Sequence, residues 1–179
     1  MKHMNPWHDI QPGTSDNCVA YIEVPKGSSV KYELDKETGL IKVDRMMYSS
    51  VYYPGDYGFI PQTMSEDKDP TDVIIINDFP LLPGVLINVR PIGLIEMIDG
   101  GERDEKIICV PTDDPRYKDV HDISDVAEHR IKEIENFFAT YKLLQKKEVE
   151  IKSIQPAAAA KQAVKDGLAL YAKEFNTTE

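Results

Sequence analysis

Residues 67–76 run Asp67-Lys68-Asp69-Pro70-Thr71-Asp72-Val73-Ile74-Ile75-Ile76, an acidic hexamer joined to a β-branched segment. Three carboxylates within six residues repel one another, and a fold tolerates this when a hard cation neutralises them. The proline stiffens the hexamer, and the apolar segment has the composition of a buried strand. The stretch predicts a rigid loop that presents oxygens to a divalent metal at the end of a β-strand.

Two other interpretations of the hexamer need weighing. A solvated acidic turn is the simpler one, because a chain with 31 Asp and Glu residues produces chance matches more often. The hexamer alone still favours a metal site. An EF-hand calcium loop is excluded, since it needs Gly at its sixth position and Glu at its twelfth, where this chain has Asp72 and Asp78.

Length and composition describe an ordinary globular protein. With 179 residues, 41% of them hydrophobic and 29% charged, residues 1–179 are expected to form one catalytic domain. Residues 1–15 are expected to be a partly mobile tail. No apolar run approaches the ~20 residues of a membrane span, and the N-terminus lacks a secretory signal. Cys18 and Cys109 each lie in an apolar run, which favours buried free thiols and a cytoplasmic location.

The net charge of −10 restricts the partners. Nucleic acid and anionic membranes both require clustered Lys and Arg, so neither is expected as a partner. An acidic protein binds an anionic substrate only where metal ions invert the local field.

The secondary structure changes character along the chain. Residues 18–24, 30–34, 40–43, 73–76, 85–95 and 106–110 have strand patterns, and Gly-containing turns separate several of them. A last strand is expected near residues 149–154. Apolar stripes then predict one helix over residues 127–141, capped by Ser124 or Asp125, and a second helix that Pro156 opens. The fold class is therefore mainly β with two C-terminal helices.

Further acids and cations are spread over these elements. Each of them also fits a role without function. Solvent-facing strand positions explain Glu23, Glu33, Lys31 and Lys106, and acids in a turn explain Asp99 and Asp104. Tyr141 also fits the apolar stripe of its helix.

Taken in order, however, the motifs resemble a known family. They are Glu-Val-Pro (23–25), Lys-Tyr-Glu-Leu-Asp (31–35), Val-Asp-Arg (43–45), Tyr-Pro-Gly-Asp-Tyr-Gly-Phe-Ile (53–60), Asp-x-Asp-Pro-x-Asp-Val (67–73), Asp-x4-Asp-x-Lys (99–106), Asp-Pro-Arg-Tyr-Lys-Asp-Val (114–120) and Phe-Phe-x-x-Tyr-Lys (137–142). The ordered set resembles the family I soluble inorganic pyrophosphatases over about two thirds of the chain.

The resemblance implies a five-stranded, OB-like distorted β-barrel carrying two helices, and hydrolysis of pyrophosphate to two phosphates with several Mg²⁺ ions, for which Mn²⁺ or Zn²⁺ can substitute. Bound metal lowers the pKa of the attacking water. Asp69 is the implied general base and Tyr53 supports it. The implied metal ligands are Asp67, Asp72, Asp99, Asp104, Glu23 and Glu33. The implied phosphate-binding residues are Lys31, Arg45, Tyr57, Lys106, Tyr141 and Lys142.

The chain departs from the family pattern in places. Lys68 stands where a small or short polar residue is usual, and Thr71 where an apolar one is. Residues 153–155 lack a Gly-Trp pair that many bacterial relatives carry. The resemblance also implies a homo-oligomer, with a hexamer favoured.

Two other function classes remain as alternatives. A non-catalytic barrel that binds divalent cations uses the same acids, but it gains nothing from the lysines and arginine beside them. An OB-fold nucleic-acid binder is disfavoured by the acidic charge.

Overall fold

The computed structural model describes residues 4–175. Its strands are β1 (Cys18–Val24), β2 (Val30–Leu34), β3 (Ile41–Met46), β4 (Asp56–Phe59), β5 (Asp72–Ile75), β6 (Leu86–Asp99), β7 (Glu102–Pro111) and β8 (Val149–Pro156). The helices are α1 (Pro6–Asp9), α2 (Glu128–Thr140) and α3 (Ala157–Phe175). Three short 3-10 helices cover Pro115–Tyr117, Ile123–Asp125 and Leu143–Gln145. The fold class predicted from the sequence is confirmed.

Five strands close into a ring. β1 pairs with β4, β4 with β5, β5 with β7, β7 with β6, and β6 returns to β1. Among the strand pairs of residues 4–175, only β5–β7 is parallel. The 14-residue β6 allows closure, because its first residues pair with β1 while its later ones pair with β7 and β8. β8 therefore extends the ring at one edge, and β2 and β3 form a separate hairpin.

The buried strand β5 divides the core between the two long helices. Val73, Ile74 and Ile75 are each 0% exposed, as expected for a strand covered on both faces. Ile74 belongs to the cluster that contains Phe138 of α2, whereas Val73 and Ile75 belong to the cluster that contains Val164 of α3. The acidic loop just before β5 is consequently anchored at the centre of the fold.

Three local expectations were wrong. Tyr57, in the Pro-Gly segment 53–60 that was expected to be a loop because no strand pattern covers it, lies in β4. Gly58 allows the backbone of β1 to approach, since a Cβ there would clash with the Tyr21 carbonyl oxygen. Arg45 lies within β3 rather than after it. Helix α2 begins after Ala127 without a side-chain cap, since Asp125 instead forms a reciprocal capping box with Asp122 on the preceding 3-10 turn.

The N-terminal segment packs against the rest of the protein from Pro6 onward. Trp7 is buried, and its indole Nε1 donates to the Thr63 carbonyl at 2.8 Å. In the tail expected at residues 1–15, Pro6 and Trp7 are buried, while residues 1–3 lie outside the described residues. Among the described residues, no helix is long and apolar enough to cross a membrane.

Candidate active site

Lys106 is the centre of the predicted site. β5 and β7 run parallel with Val73 opposite Ile107, so Asp72 at the start of β5 lies beside Lys106 on β7. The ammonium donates to Asp104 Oδ1 at 2.7 Å and also pairs with Asp72 Oδ2. Burial opposes the charged form of this lysine, but the two carboxylates outweigh it and raise the pKa of Lys106. Lys106 therefore remains a cation between two predicted metal ligands.

Two buried tyrosines lie beside this group. The Tyr57 ring centroid is 5.9 Å from Lys106 Nζ and 5.4 Å from the Tyr53 ring centroid. Burial raises the pKa of Tyr57, and the charge of Asp72 raises it further. Burial likewise raises the pKa of Tyr53. Both phenols therefore stay protonated and can donate hydrogen bonds without adding charge.

Asp99 connects the β6–β7 hairpin to the end of α2. The Tyr141 hydroxyl donates to Asp99 Oδ2 at 3.3 Å, and the Lys142 ammonium pairs with the same oxygen. Burial lowers the pKa of Lys142, as do the positive charges of Arg45 and Lys106, while Asp99 opposes the shift.

The β2–β3 hairpin contributes a second pair of cations. Lys31 and Arg45 occupy partner positions in its register. Lys31 Nζ lies 3.1 Å from Asp44 Oδ2 and 3.7 Å from Glu33 Oε2. Arg45 donates to Asp44 through Nη1 at 2.9 Å, but its buried Nε has no hydrogen-bond partner in the described part of the chain. An unused guanidinium donor suits an anionic ligand.

Glu23 lies on β1 behind these residues and is 7% exposed. Its Oε1 accepts from the backbone N–H of Leu34 at 2.7 Å, which connects β1 to β2. Burial, together with the charges of Asp72 and Glu33, raises the pKa of Glu23 to about 8. A carboxylate at this position is therefore costly unless another cation joins it.

Asp67 lines two neighbouring cavities of the predicted site. It lines one cavity of about 540 Å³ together with Glu23, Lys31, Glu33, Tyr57, Asp69 and Asp72. It also lines a groove of about 1080 Å³ with Asp99, Asp104 and Lys142. We call these two cavities together the acid cleft. Burial raises the pKa of Asp67, and the neighbouring Asp69 and Asp72 raise it further. Four of the predicted ligands thus line the first cavity and three line the second, with Asp67 common to both.

The donor set fits a hard divalent cation. Among residues 4–175, no three His, Cys or acidic side chains are grouped closely enough to hold one ion. Ammonium groups instead lie among the carboxylates, as Lys106 does between Asp72 and Asp104. The acids nevertheless supply only oxygen donors, and burial and mutual repulsion raise the pKa values of Asp67, Asp104 and Glu23. Such carboxylates suit Mg²⁺.

Sequence reasoning missed one residue of the cleft and one beside it. Lys36 pairs with Asp69, and Asp44 accepts from Arg45 and lies against Lys31. Asp44 belongs to the Val-Asp-Arg motif, so its position beside Arg45 was available as a signal. Lys36 follows the Lys-Tyr-Glu-Leu-Asp motif in the turn after β2, and nothing in its spacing indicated a link to residue 69.

Comparison with known proteins agrees with this geometry. A sequence profile described as "Inorganic pyrophosphatase" matches residues 20–172. The chain is 49% identical over 171 residues to the soluble inorganic pyrophosphatase of Zea mays, covering 94% of this chain and 80% of that protein. It is 52% identical over 172 residues to soluble inorganic pyrophosphatase 4 of Arabidopsis thaliana, covering 94% and 79%.

Solved structures are similar as well. The inorganic pyrophosphatase of Thermus thermophilus matches with a TM-score of 0.90 and 40% identity, covering 94% of this chain and 99% of that one. The inorganic pyrophosphatase of Helicobacter pylori matches with a TM-score of 0.87 and 35% identity, covering 90% and 98%.

Proposed function

The chain belongs to the inorganic pyrophosphatase family and hydrolyses inorganic pyrophosphate to two phosphates, and we propose that it does so with Mg²⁺ and with Asp69 as general base. The observation that carries the proposal is the convergence of acids and cations from distant segments on the acid cleft. We propose one catalytic domain that spans the chain.

The acids of the cleft are the proposed metal ligands. Asp67, Asp72, Asp99 and Asp104 would hold Mg²⁺, or Mn²⁺ or Zn²⁺ in its place, with Glu23 and Glu33 assisting. When bound, the metal ions polarise the phosphoryl oxygens and make a water molecule more acidic. Without them the cleft repels a polyanion, since its carboxylates already raise one another's pKa values.

The cations and phenols in and beside the cleft are the proposed phosphate-binding residues. Lys31, Lys106 and Lys142 present ammonium groups, and Arg45 has a free Nε donor. Tyr57 and Tyr141 stay protonated, because burial raises the pKa of each. These groups would orient the substrate and stabilise the charge that grows on the leaving phosphate.

Asp69 is the proposed acceptor of the proton from the attacking water. Its backbone N–H donates to Asp67 Oδ1 at 3.0 Å, and its side chain lines the same cavity as Asp67 and Asp72. Asp69 lies between the proposed metal ligands Asp67 and Asp72 in the chain but is not itself a proposed ligand. Its carboxylate is therefore available to accept a proton. Tyr53 is the proposed support beneath the site.

The test is phosphate release from pyrophosphate with Mg²⁺, for wild type and Asp69→Asn. Loss of a general base is expected to lower kcat at least ~100-fold. Asp16→Asn is the matched control, because Asp16 pairs with Lys161 and lines none of the cavities of the cleft. An Asp69→Asn variant with wild-type kcat would refute the role of Asp69. Absence of Mg²⁺-dependent release in wild type would refute the metal dependence.

The non-catalytic alternative is not favoured, because a barrel that only binds cations gains nothing from Lys106 between two of its ligands. We also propose a cytoplasmic protein without nucleic-acid or membrane partners, and a homo-oligomer with a hexamer favoured. Phe79, Leu82 and Leu86 are 61%, 74% and 50% exposed and offer apolar area for contacts between copies. Light scattering that yields the mass of a single chain would refute the oligomer.

A further inference from the structure

Lys36 contacts Asp69 across the acid cleft. It lies in the turn between β2 and β3, outside the set of phosphate-binding residues named above. Its ammonium pairs with Asp69 Oδ1, and both residues line the same cavity. Asp69 Oδ2 is then the carboxylate oxygen that remains available to a water molecule.

Other residues fix the position of Lys36. Its Nζ lies 5.1 Å from the centroid of the Trp7 ring, a distance at which the face of an indole attracts a cation. Its backbone carbonyl accepts from Asn5 Nδ2 at 2.9 Å. Within the turn, Asp35 Oδ1 accepts from the backbone N–H groups of Glu37 and Thr38 at 3.0 and 3.2 Å. Both the backbone and the ammonium of Lys36 are therefore held.

The N-terminal segment also supports the loop that carries Asp69. Trp7 Nε1 donates to the Thr63 carbonyl at 2.8 Å, and Thr63 Oγ1 accepts from the backbone N–H of Thr71 at 3.0 Å. Ser65 N–H donates to the Asp69 carbonyl at 2.8 Å. Trp7 thus connects the turn of Lys36 to the loop of Asp69, so one buried side chain sets their relative position.

We propose that Lys36 is a positioning residue for Asp69, held by Trp7 and Asn5, which fixes one carboxylate oxygen so that the other faces the attacking water. This inference rests on the proposed function. It assigns the N-terminal segment, which joins no other part of the mechanism, a role at the reaction centre.

The exposure of the pair determines where its effect is measured. The side chains of Lys36 and Asp69 are 46% and 59% exposed, and ion pairs this open to solvent add little to stability. The orientation of a reacting group, in contrast, acts directly on the rate. The effect of Lys36 therefore falls on kcat and leaves the unfolding temperature nearly unchanged.

The experiment compares Lys36→Met with Lys36→Arg and a matched control. We expect Lys36→Met to lower kcat about tenfold with the KM for pyrophosphate within about twofold, and Lys36→Arg to recover most of the rate. The control is Lys132→Met, which removes another exposed pair, with Glu128 on α2. In the Asp69→Asn background, Lys36→Met causes no further loss.

A second measurement does not depend on catalysis. In metal-free protein, the ¹³C chemical shift of the Asp69 carboxyl carbon moves in Lys36→Met and stays in Lys132→Met. An unchanged shift, a wild-type kcat, an effect confined to KM, or an equal loss in the Asp69→Asn background would overturn the inference. Failure of the proposed function is recognised separately, because wild type would then release no phosphate.

Discussion

Asp56 and Glu23 are buried acids on two paired strands of one barrel, β4 and β1, yet their surroundings differ. Asp56 accepts from the backbone N–H groups of Lys26 and Leu81 at 2.8 and 3.0 Å, and from Asn77 Nδ2. Glu23 accepts from the N–H of Leu34 and faces the charges of Asp72 and Glu33. One acid is surrounded by donors, and the other has acidic neighbours.

The difference separates a structural acid from the acids proposed to hold metal. Burial raises the pKa of Asp56, but each hydrogen bond to it lowers the pKa and stabilises the carboxylate. In the acid cleft, burial raises the pKa values of Glu23, Asp67 and Asp104, and neighbouring carboxylates raise them further. The pairing with Lys106 lowers the pKa of Asp104 in part. Hydrogen-bond donors offset part of the cost of burying charge at Asp56, whereas neighbouring carboxylates add to that cost in the cleft.

Neutralising Asp67 gives the largest expected effect. Asp67→Asn weakens a proposed metal ligand and is expected to lower kcat/KM at least ~100-fold. The unfolding temperature of the metal-free protein stays the same or rises, because the change removes repulsion from Asp69 and Asp72. Phosphate release and calorimetry measure the two quantities. A less stable variant with normal turnover would make Asp67 a structural acid like Asp56.

The opposite result is expected at Asp56. Asp56→Ala leaves the donors of Lys26, Leu81 and Asn77 without an acceptor and is expected to cost about 2–4 kcal/mol of unfolding free energy. Asp56→Asn costs less, since its oxygen still accepts from the two backbone N–H groups. Urea unfolding measures both, and activity per folded molecule stays within about threefold. Turnover that falls more than stability would place Asp56 in the catalytic site.

The stability that Asp56 contributes is expected to depend on pH. Because burial raises the folded-state pKa of Asp56 above its ordinary 3.8, the folded state binds this proton more tightly than the unfolded state. The resulting contribution to stability is complete below pH 3.8 and is lost as pH rises through the folded-state pKa.

Asparagine does not titrate, so the stability advantage of wild type over Asp56→Asn is expected to shrink as pH rises from about 4 to about 7. Urea unfolding of both proteins over that pH range measures the difference in unfolding free energy. The other carboxylates titrate in both proteins, so their contributions cancel in this difference. An advantage that grows with pH would mean that the hydrogen bonds to Asp56 outweigh its burial.

The sequence predicted much of the fold because strand patterns report burial locally. The β-branched run of residues 73–76 and the apolar stripe of α2 both appear where expected. Closure of the ring depends on β4, a four-residue strand that contains Gly58 and has no periodic pattern to detect. The site residues were predicted through ordered motifs. The contact between Lys36 and Asp69, in contrast, depends on how the turn and Trp7 are placed in the folded chain, and no local sequence pattern reports it.

The smallest expected effect concerns Lys68, between the two acids of the loop. Its φ of +67° is a left-handed conformation that costs an L-residue about 1–2 kcal/mol, while glycine there costs about 0.5–1 kcal/mol of chain entropy. Lys68→Gly is therefore expected to stabilise the protein by about 0.5 kcal/mol. Lys146→Gly is the control, because Lys146 has a φ of +56° at the far end of the groove and should gain a similar amount. A gain at Lys146 with a loss at Lys68 would show that the Lys68 side chain offsets part of the charge of Asp67 and Asp69. Protein groups would then stabilise this loop in part, as the hydrogen-bond donors stabilise the carboxylate of Asp56.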